Sequence, residues 1–171
     1  MNPDKQLEHA VKLHQSGKLE AAERAYKKLL KARSNHVEAN RLYGLLARQT
    51  GRDALAQDLF TRALKGRPGS DEIRLNLIDV MLARDACQAA IELCEARQQQ
   101  GAVSVEILCK LAEARQKIGQ RTEASRILDQ AEAADPGSAF VQMTRGDLLK
   151  ARGDYLGSLR SYATASALGS T

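Results

Sequence analysis

The chain has 171 residues and a net charge of +5; 43% of its residues are hydrophobic and 4% aromatic. This length suits one domain, predicted over residues 1–171, and the even spread of aliphatic residues argues against disorder. With three prolines, 12 glycines and no short period, the sequence excludes collagen-like and linker proteins. No apolar run approaches the roughly 18 residues that a membrane span needs. Because no apolar leader precedes the first amphipathic segment, we predict a cytoplasmic protein.

The sequence repeats every 34 residues. One column of equivalent positions holds residues that favour a turn: Gly17, Gly51, Asp85, Gly119 and Gly153. A second column holds small residues: Ala22, Ala56, Ala90, Ala124 and Ser158. A repeat of this length is typical of a stack of similar structural units rather than of one globular core. We predict five units: 3–36, 37–70, 71–104, 105–138 and 139–171.

Each repeat predicts two helices separated by a short turn. In the second repeat, apolar residues at helical spacing predict helices over 37–49 and 53–66, with Gly51 in the turn between them. Ser70 and Ser138 each follow a Pro-Gly pair and are predicted to cap the next helix. No segment of the chain predicts a strand.

Small residues predict close packing within a repeat. Gly44 and Ala56 are expected to face each other across one helix pair, with Phe60 filling the space between that pair and the following helix. The third repeat departs from this pattern, because Ile78 occupies the small packing position and Asp85 the turn position. We expect helices there too, with altered packing; a hinge is the alternative.

These motifs resemble the tetratricopeptide repeat family. Residues 43–47 read Tyr-Gly-x2-Ala, and residues 56–63 read Ala-x3-Phe-x2-Ala, with Pro68 closing the repeat. Asn40 stands where the family usually has Trp. The resemblance implies an all-α fold, an α-solenoid in which five helix-turn-helix hairpins form a right-handed superhelix. It also implies a non-enzymatic adaptor or scaffold, because such arrays bind protein segments in a concave groove lined by the first helix of each repeat.

The family resemblance places thirteen residues in the groove. They are Arg41, Leu42, Leu45, Arg48, Leu75, Asn76, Asp79, Leu82, Lys110, Glu113, Lys117, Met143 and Lys150. An apolar strip between arginines suits a peptide or amphipathic helix with apolar anchors and acidic flanks. Leu75 and Leu82 have a second interpretation, which is packing between neighbouring first helices.

Residues suited to catalysis or metal binding do not form recognisable motifs. His9 and His14 are five residues apart and do not share a helix face, so no zinc site is predicted. His36 stands alone at a repeat junction, where capping of a helix or exposure to solvent is expected. The three cysteines lack metal spacing and are expected to be reduced, buried thiols. We therefore predict no enzyme activity, no metal and no cofactor.

Charged residues are unevenly distributed. Residues 3–70 contain 14 basic and 7 acidic side chains, and the densest basic cluster is Lys27, Lys28, Lys31 and Arg33. No aromatic residues alternate with these bases as nucleic-acid binding would require, so no specific nucleic-acid partner is predicted. Acids four residues before a base, as in Glu20 with Arg24 and Glu113 with Lys117, predict ordinary surface pairs.

Two alternatives to a free-standing adaptor remain open. Residues 13–23 resemble the opening of repeat arrays joined to bacterial sulfotransferases and glycosyltransferases. The chain would then be the N-terminal recognition module of a larger bacterial enzyme, and an open reading frame continuing past Thr171 would support this. The other alternative is a self-assembling scaffold, in which copies associate through the terminal repeats.

Overall fold

The computed structural model describes residues 3–101 and 103–169. Residues 1, 2, 170 and 171 of the predicted domain, and Ala102 in the third predicted repeat, lie outside the described residues. The fold is all-α, as predicted, and the described residues contain no strand. The helices are α1 Pro3–Gln15, α2 Leu19–Ala32, α3 Val37–Gln49, α4 Asp53–Gly66, α5 Asp71–Ala83, α6 Cys87–Gln98, α7 Val105–Lys117, α8 Arg121–Ala134, α9 Ala139–Ala151 and α10 Tyr155–Leu168. Each predicted repeat therefore holds two helices, and the bounds predicted for α3 and α4 are confirmed.

Side chains at the repeat junctions cap some of the first helices. The backbone N–H of Ala39 donates to Nδ1 of His36 over 3.2 Å, which caps α3. Ser70 Oγ accepts from the N–H of Ile73 over 3.4 Å and caps α5. Both predictions are confirmed. The prediction for Ser138 is wrong: its side chain makes no cap bond to α9. The carboxylate of Asp135 instead accepts from the N–H of Gly137 over 3.2 Å and stabilises the preceding turn.

The chain divides into two compact units, the first ending at Arg84 and the second beginning at Asp85. In the first unit α1 pairs with α2 and α3 with α4, while α2 packs on α3 and α4 packs on α5. In the second unit α7 pairs with α8 and α9 with α10, while α6 packs on α7 and α8 on α9. First helices also contact one another, α3 with α1 and α5 in one unit and α7 with α9 in the other. A single domain over the whole chain stays a prediction.

A glycine allows the close packing of α3 against α4. A Cβ atom added to Gly44 would lie 2.6 Å from Cε1 of Phe60, closer than real Cβ atoms come to other heavy atoms. Phe60 is 0% exposed and Ala56 is also fully buried. Only hydrogen at position 44 leaves room for the ring, which confirms that a small residue on α3 lets the two helices approach closely. The facing of Gly44 and Ala56, and the packing of Phe60 against the following helix, stay predictions.

Polar side chains join successive repeats of the first unit. Asn40 is fully buried, and its Nδ2 donates to the carbonyl oxygen of Ser34 over 2.9 Å. Arg74, the residue 34 positions later, donates from Nη2 to the carbonyl oxygen of Pro68 over 2.5 Å. Each bond gives a buried polar side chain a partner in a carbonyl at the end of the preceding repeat, which a buried polar group requires. These residues occupy the column in which the family usually has Trp.

A second polar joint connects the first two repeats and centres on Glu23 of α2. Its Oε1 accepts hydrogen bonds from Arg52 Nη1 over 2.7 Å and from the Tyr43 hydroxyl over 2.9 Å. Lys27 Nζ of the same helix lies 2.8 Å from this oxygen. These bonds, with that to Arg52 the largest cause, lower the pKa of Glu23 from 4.5 to about 2. The joint therefore holds an ionised carboxylate at neutral pH.

The third predicted repeat has an unusual turn. Asp85 has a φ of 55°, whereas the four equivalent glycines have φ values between 70° and 84°. Aspartate visits this left-handed region more readily than most residues that carry a Cβ atom. The turn therefore keeps the backbone geometry of the other repeats despite losing its glycine. The expected altered packing and the hinge alternative stay predictions.

The three cysteines are buried and none of them forms a disulfide, which confirms the expectation of buried thiols. Cys87 and Cys94 lie on α6, and Cys109 lies on α7. Burial raises the pKa of the Cys109 thiol to about 11. This thiol is therefore protonated at neutral pH and packs as a small apolar group.

Candidate functional site

Eight of the thirteen predicted groove residues lie on two neighbouring helices of the first unit, α3 and α5. Arg41, Leu42, Leu45 and Arg48 project from α3, while Leu75, Asn76, Asp79 and Leu82 project from α5. Residues three, four and seven apart share a helix face. The spacing therefore puts each set of four on one side of its own helix.

Two ion pairs connect these helices. Arg41 Nη1 lies 2.6 Å from Glu72 Oε1, and Arg48 Nη1 lies 3.5 Å from Asp79 Oδ2. On each helix the paired residues are two turns apart, which separates the bridges by about 10 Å along the axis. The bridges therefore mark the two ends of one stretch of surface on α3 and α5.

Apolar side chains lie between the bridges. Leu42 and Leu45 of α3 and Leu75 of α5 are half-buried, and we call these three residues the apolar window. Leu82 is only 3% exposed and belongs to the core; its packing between neighbouring first helices stays a prediction. Asn76 is half-buried and donates from Nδ2 to the carbonyl oxygen of Glu72 in its own helix over 3.0 Å.

The arginines beside the apolar window already have acidic partners. The Arg41 side chain is 16% exposed and contacts Glu38 as well as Glu72. The hydrogen bond from Arg41 is the largest cause of the lowered pKa of Glu38. Since Arg48 is paired with Asp79, an acidic flank of a partner would have to exchange with a resident carboxylate at either arginine. Sequence reasoning missed the pair of Arg41 with Glu72 because Glu72 was not among the groove candidates.

The second unit carries the other five predicted residues on α7 and α9. Lys110 Nζ lies 3.0 Å from Glu113 Oε2, and Lys117 Nζ lies 3.1 Å from Asp85 Oδ1. The predicted pairing of Glu113 with Lys117 is therefore wrong, because each has another partner. Met143 is 52% exposed and Lys150 is also exposed. Met143 thus presents apolar surface on α9.

The described part of the chain offers few places for other chemistry. Within residues 3–101 and 103–169, no group of three or more His, Cys, Asp or Glu side chains is arranged to hold a metal ion. Within the same residues, no helix has both the length and the apolar character needed to cross a membrane.

Comparisons with known proteins identify the fold. The sequence model of the tetratricopeptide repeat family matches residues 7–71, while no curated protein matches the sequence. A crystal structure of MamA is 22% identical and has a TM-score of 0.74, with 94% of each chain covered. A MamA structure from Desulfovibrio magneticus RS-1 is 17% identical and has a TM-score of 0.77, with 98% of this chain and 94% of that chain covered.

A third structure carries a functional description. YrrB is described as a TPR protein with an unusual peptide-binding site; it is 18% identical and has a TM-score of 0.69, with 95% of this chain and 84% of that chain covered. At these identities the likeness concerns the fold. The family match over residues 7–71, the paired helices and these structures agree, and the chain has the fold of a tetratricopeptide repeat protein.

Proposed function

We propose that the protein is a non-enzymatic adaptor that binds a segment of a partner protein. The segment binds on the surface lined by the first helix of each repeat. The observation that carries this proposal is the apolar window, Leu42, Leu45 and Leu75, held between two cross-helix ion pairs. Ion pairs that bridge two helices fix the surface in advance, which lowers the entropic cost of binding. The fold of YrrB, described as having a peptide-binding site, supports the same class of function.

The geometry favours a peptide or amphipathic helix with apolar anchors. Half-buried leucines can take up an apolar side chain, and nearby polar groups can fix its orientation. The acidic flanks predicted from the sequence remain part of the proposal for Arg41 and Arg48, on the condition that they exchange with Glu72 and Asp79. Lys110, Glu113, Lys117, Met143 and Lys150 are proposed as contacts on the second unit.

A pull-down from the native lysate tests the groove. We expect the wild type to capture a partner that the Leu45→Asp/Arg48→Glu variant loses, because the variant puts charge into the apolar window and removes the bridge to Asp79. Arg62→Glu/Lys65→Glu on α4 is the control; both side chains are exposed and neither is on a first helix. Circular dichroism of the wild type and both variants checks that all three proteins are helical. Capture of the same partner by the folded groove variant would contradict the proposal.

Self-association is a second candidate function, and one observation favours it. In the second unit α10 exposes three large apolar side chains, Tyr155, Leu156 and Leu159, and Leu156 is 73% exposed. Light scattering over a concentration series tests whether copies associate through this face. A strict monomer at all concentrations would contradict this candidate, whereas a dimer that Leu156→Glu/Leu159→Glu abolishes would support it.

A role as the recognition module of a larger bacterial enzyme stays a prediction, as does a cytoplasmic location.

A further inference from the structure

The first repeat has a cleft on its own α1–α2 pair, away from the apolar window. The cleft has a volume of about 430 Å³. Half-buried Leu13, Ala21 and Ala25 give it apolar lining, and exposed Arg24 and Lys28 give it positive charge. None of its lining residues, all of which the structure describes, is acidic.

The cations at this cleft are unpaired. Arg24 and Lys28 form no ion pair with any residue in the described part of the chain, in contrast to Arg41 and Arg48. The predicted pair of Glu20 with Arg24 is therefore wrong. The segment 24–33 that contains both cations has no acidic residue. The positive charge at the cleft is thus available to an external carboxylate.

The surface of the second repeat that corresponds to this cleft shows which kind of structural element packs on it. Tyr43 and Ala47, 34 residues after His9 and Leu13, are both buried. Helix α2 packs on them: the rings of Tyr26 and Tyr43 stack with their centroids 6.0 Å apart. The surface that faces the preceding repeat therefore receives an α-helix.

The helix received by the second repeat carries a carboxylate. Glu23 of α2 binds the hydroxyl of Tyr43 and the guanidinium of Arg52. In the first repeat the residues 34 positions earlier are His9 and Lys18, which are both exposed. Both have side-chain nitrogens that can donate to a carboxylate. The first repeat thus retains donors at the positions that hold an acid in the second.

We propose that this cleft on α1 and α2 is a second docking site, which binds an acidic amphipathic helix of a partner protein. The apolar lining receives the apolar side of that helix, while Arg24, Lys28 and Lys18 attract its carboxylates. Helix α10 of a second copy is a poor occupant, because its one charged residue is Arg160 and it has no carboxylate to offer.

An NMR titration of the full ¹⁵N-labelled chain with a designed helix tests the proposal. The probe is a peptide with the sequence of α2 in which Lys27→Glu, Lys28→Glu and Lys31→Glu add negative charge. Arg24→Lys supplies a side-chain amine at position 24. An amide bond between this amine and the Glu20 carboxylate keeps the peptide helical. A neutral probe carries Glu23→Gln and glutamine at the same three positions. We expect the acidic probe to shift the amide signals of His9, Leu13 and Ala25, and the neutral probe to bind at least tenfold more weakly.

Matched variants of the protein locate the charge. We expect Arg24→Glu/Lys28→Glu to weaken binding of the acidic probe at least tenfold. Arg62→Glu/Lys65→Glu, with the same charge change on α4, should weaken it less than twofold. Equal weakening by both variants, equal affinity for both probes, or shifts centred on α3 and α5 would overturn the proposal. A dimer seen by light scattering without the probe, and abolished by Arg24→Glu/Lys28→Glu, would assign the face to a second copy and also overturn it.

Discussion

Replacing Gly44 with alanine is expected to lower the free energy of unfolding by about 2 kcal/mol. The added Cβ atom would lie 2.6 Å from Cε1 and 2.9 Å from Cδ1 of Phe60. Because Phe60 is fully buried, its ring cannot turn into solvent to relieve the overlap. Overpacking of this kind costs about 1–3 kcal/mol. Alanine recovers up to about 1 kcal/mol through its higher helix propensity, which is too little to offset a clash with an immobile ring.

Gly146 provides the matched control. A Cβ atom there would lie 2.5 Å from Cε1 of Tyr162, a similar overlap in the second unit. Tyr162 is only half-buried, and its hydroxyl donates to the carboxylate of Asp147 over 2.6 Å in an exposed contact. The ring can therefore move outward, and we expect Gly146→Ala to change stability by less than about 0.5 kcal/mol.

Urea unfolding followed by circular dichroism measures both variants against the wild type. A double variant, Gly44→Ala/Phe60→Leu, identifies the cause of the effect. If the clash with the ring dominates, the alanine should cost less in the Phe60→Leu background than in the wild type, because the smaller side chain leaves room. A neutral Gly44→Ala, or equal losses at positions 44 and 146, would contradict this account of the close helix approach.

Local signals explain why the helices could be predicted from the sequence. A turn glycine such as Gly51 and a capping residue such as Ser70 act within a few residues of their own position. The 34-residue period then repeats these signals with few changes. The bounds of α3 and α4 follow directly, and so does the close approach of the two helices at Gly44, because small residues recur at fixed offsets within one hairpin.

The charged contacts could not be predicted in the same way. Arg41 and Arg48 pair with residues 31 positions later, which depends on the rotation of α3 relative to α5. A pattern on one helix reports which side chains share a face but not which partner lies across from them. For the same reason the sequence could not decide whether Leu82 lies in the groove or in the core, because its burial depends on the packing around α5.

Replacing Glu23 with glutamine is expected to lower the free energy of unfolding by about 1–2 kcal/mol at pH 7. Glutamine keeps an oxygen for Arg52 and Tyr43 but removes the charge that strengthens those bonds. The pKa of Glu23 is lowered from 4.5 to about 2 in the folded protein, so ionisation of this group favours folding. The side chain is 18% exposed, and solvent screening keeps the effect below the value that the full pKa difference implies.

The direction of the pH dependence follows from that lowered pKa. Above about pH 4.5 the carboxylate is ionised in both the folded and the unfolded chain, and its full contribution to stability is present. As the pH falls from 4.5 towards 2, the unfolded chain takes up the proton first and the contribution is lost. The stability difference between wild type and Glu23→Gln should therefore be constant from pH 7 to 5 and shrink by pH 2.5.

Urea unfolding at pH 7, 5, 3.5 and 2.5 checks this expectation. Glu8→Gln is the matched control, because Glu8 is exposed on α1 and has no ion pair with any residue that the structure describes. We expect it to change stability by less than about 0.5 kcal/mol at every pH. A stability difference for Glu23→Gln that stays constant down to pH 2.5 would mean that its carboxylate has an ordinary pKa. The joint between the first two repeats would then depend on apolar packing, such as Tyr26 on Tyr43, rather than on the ionised Glu23.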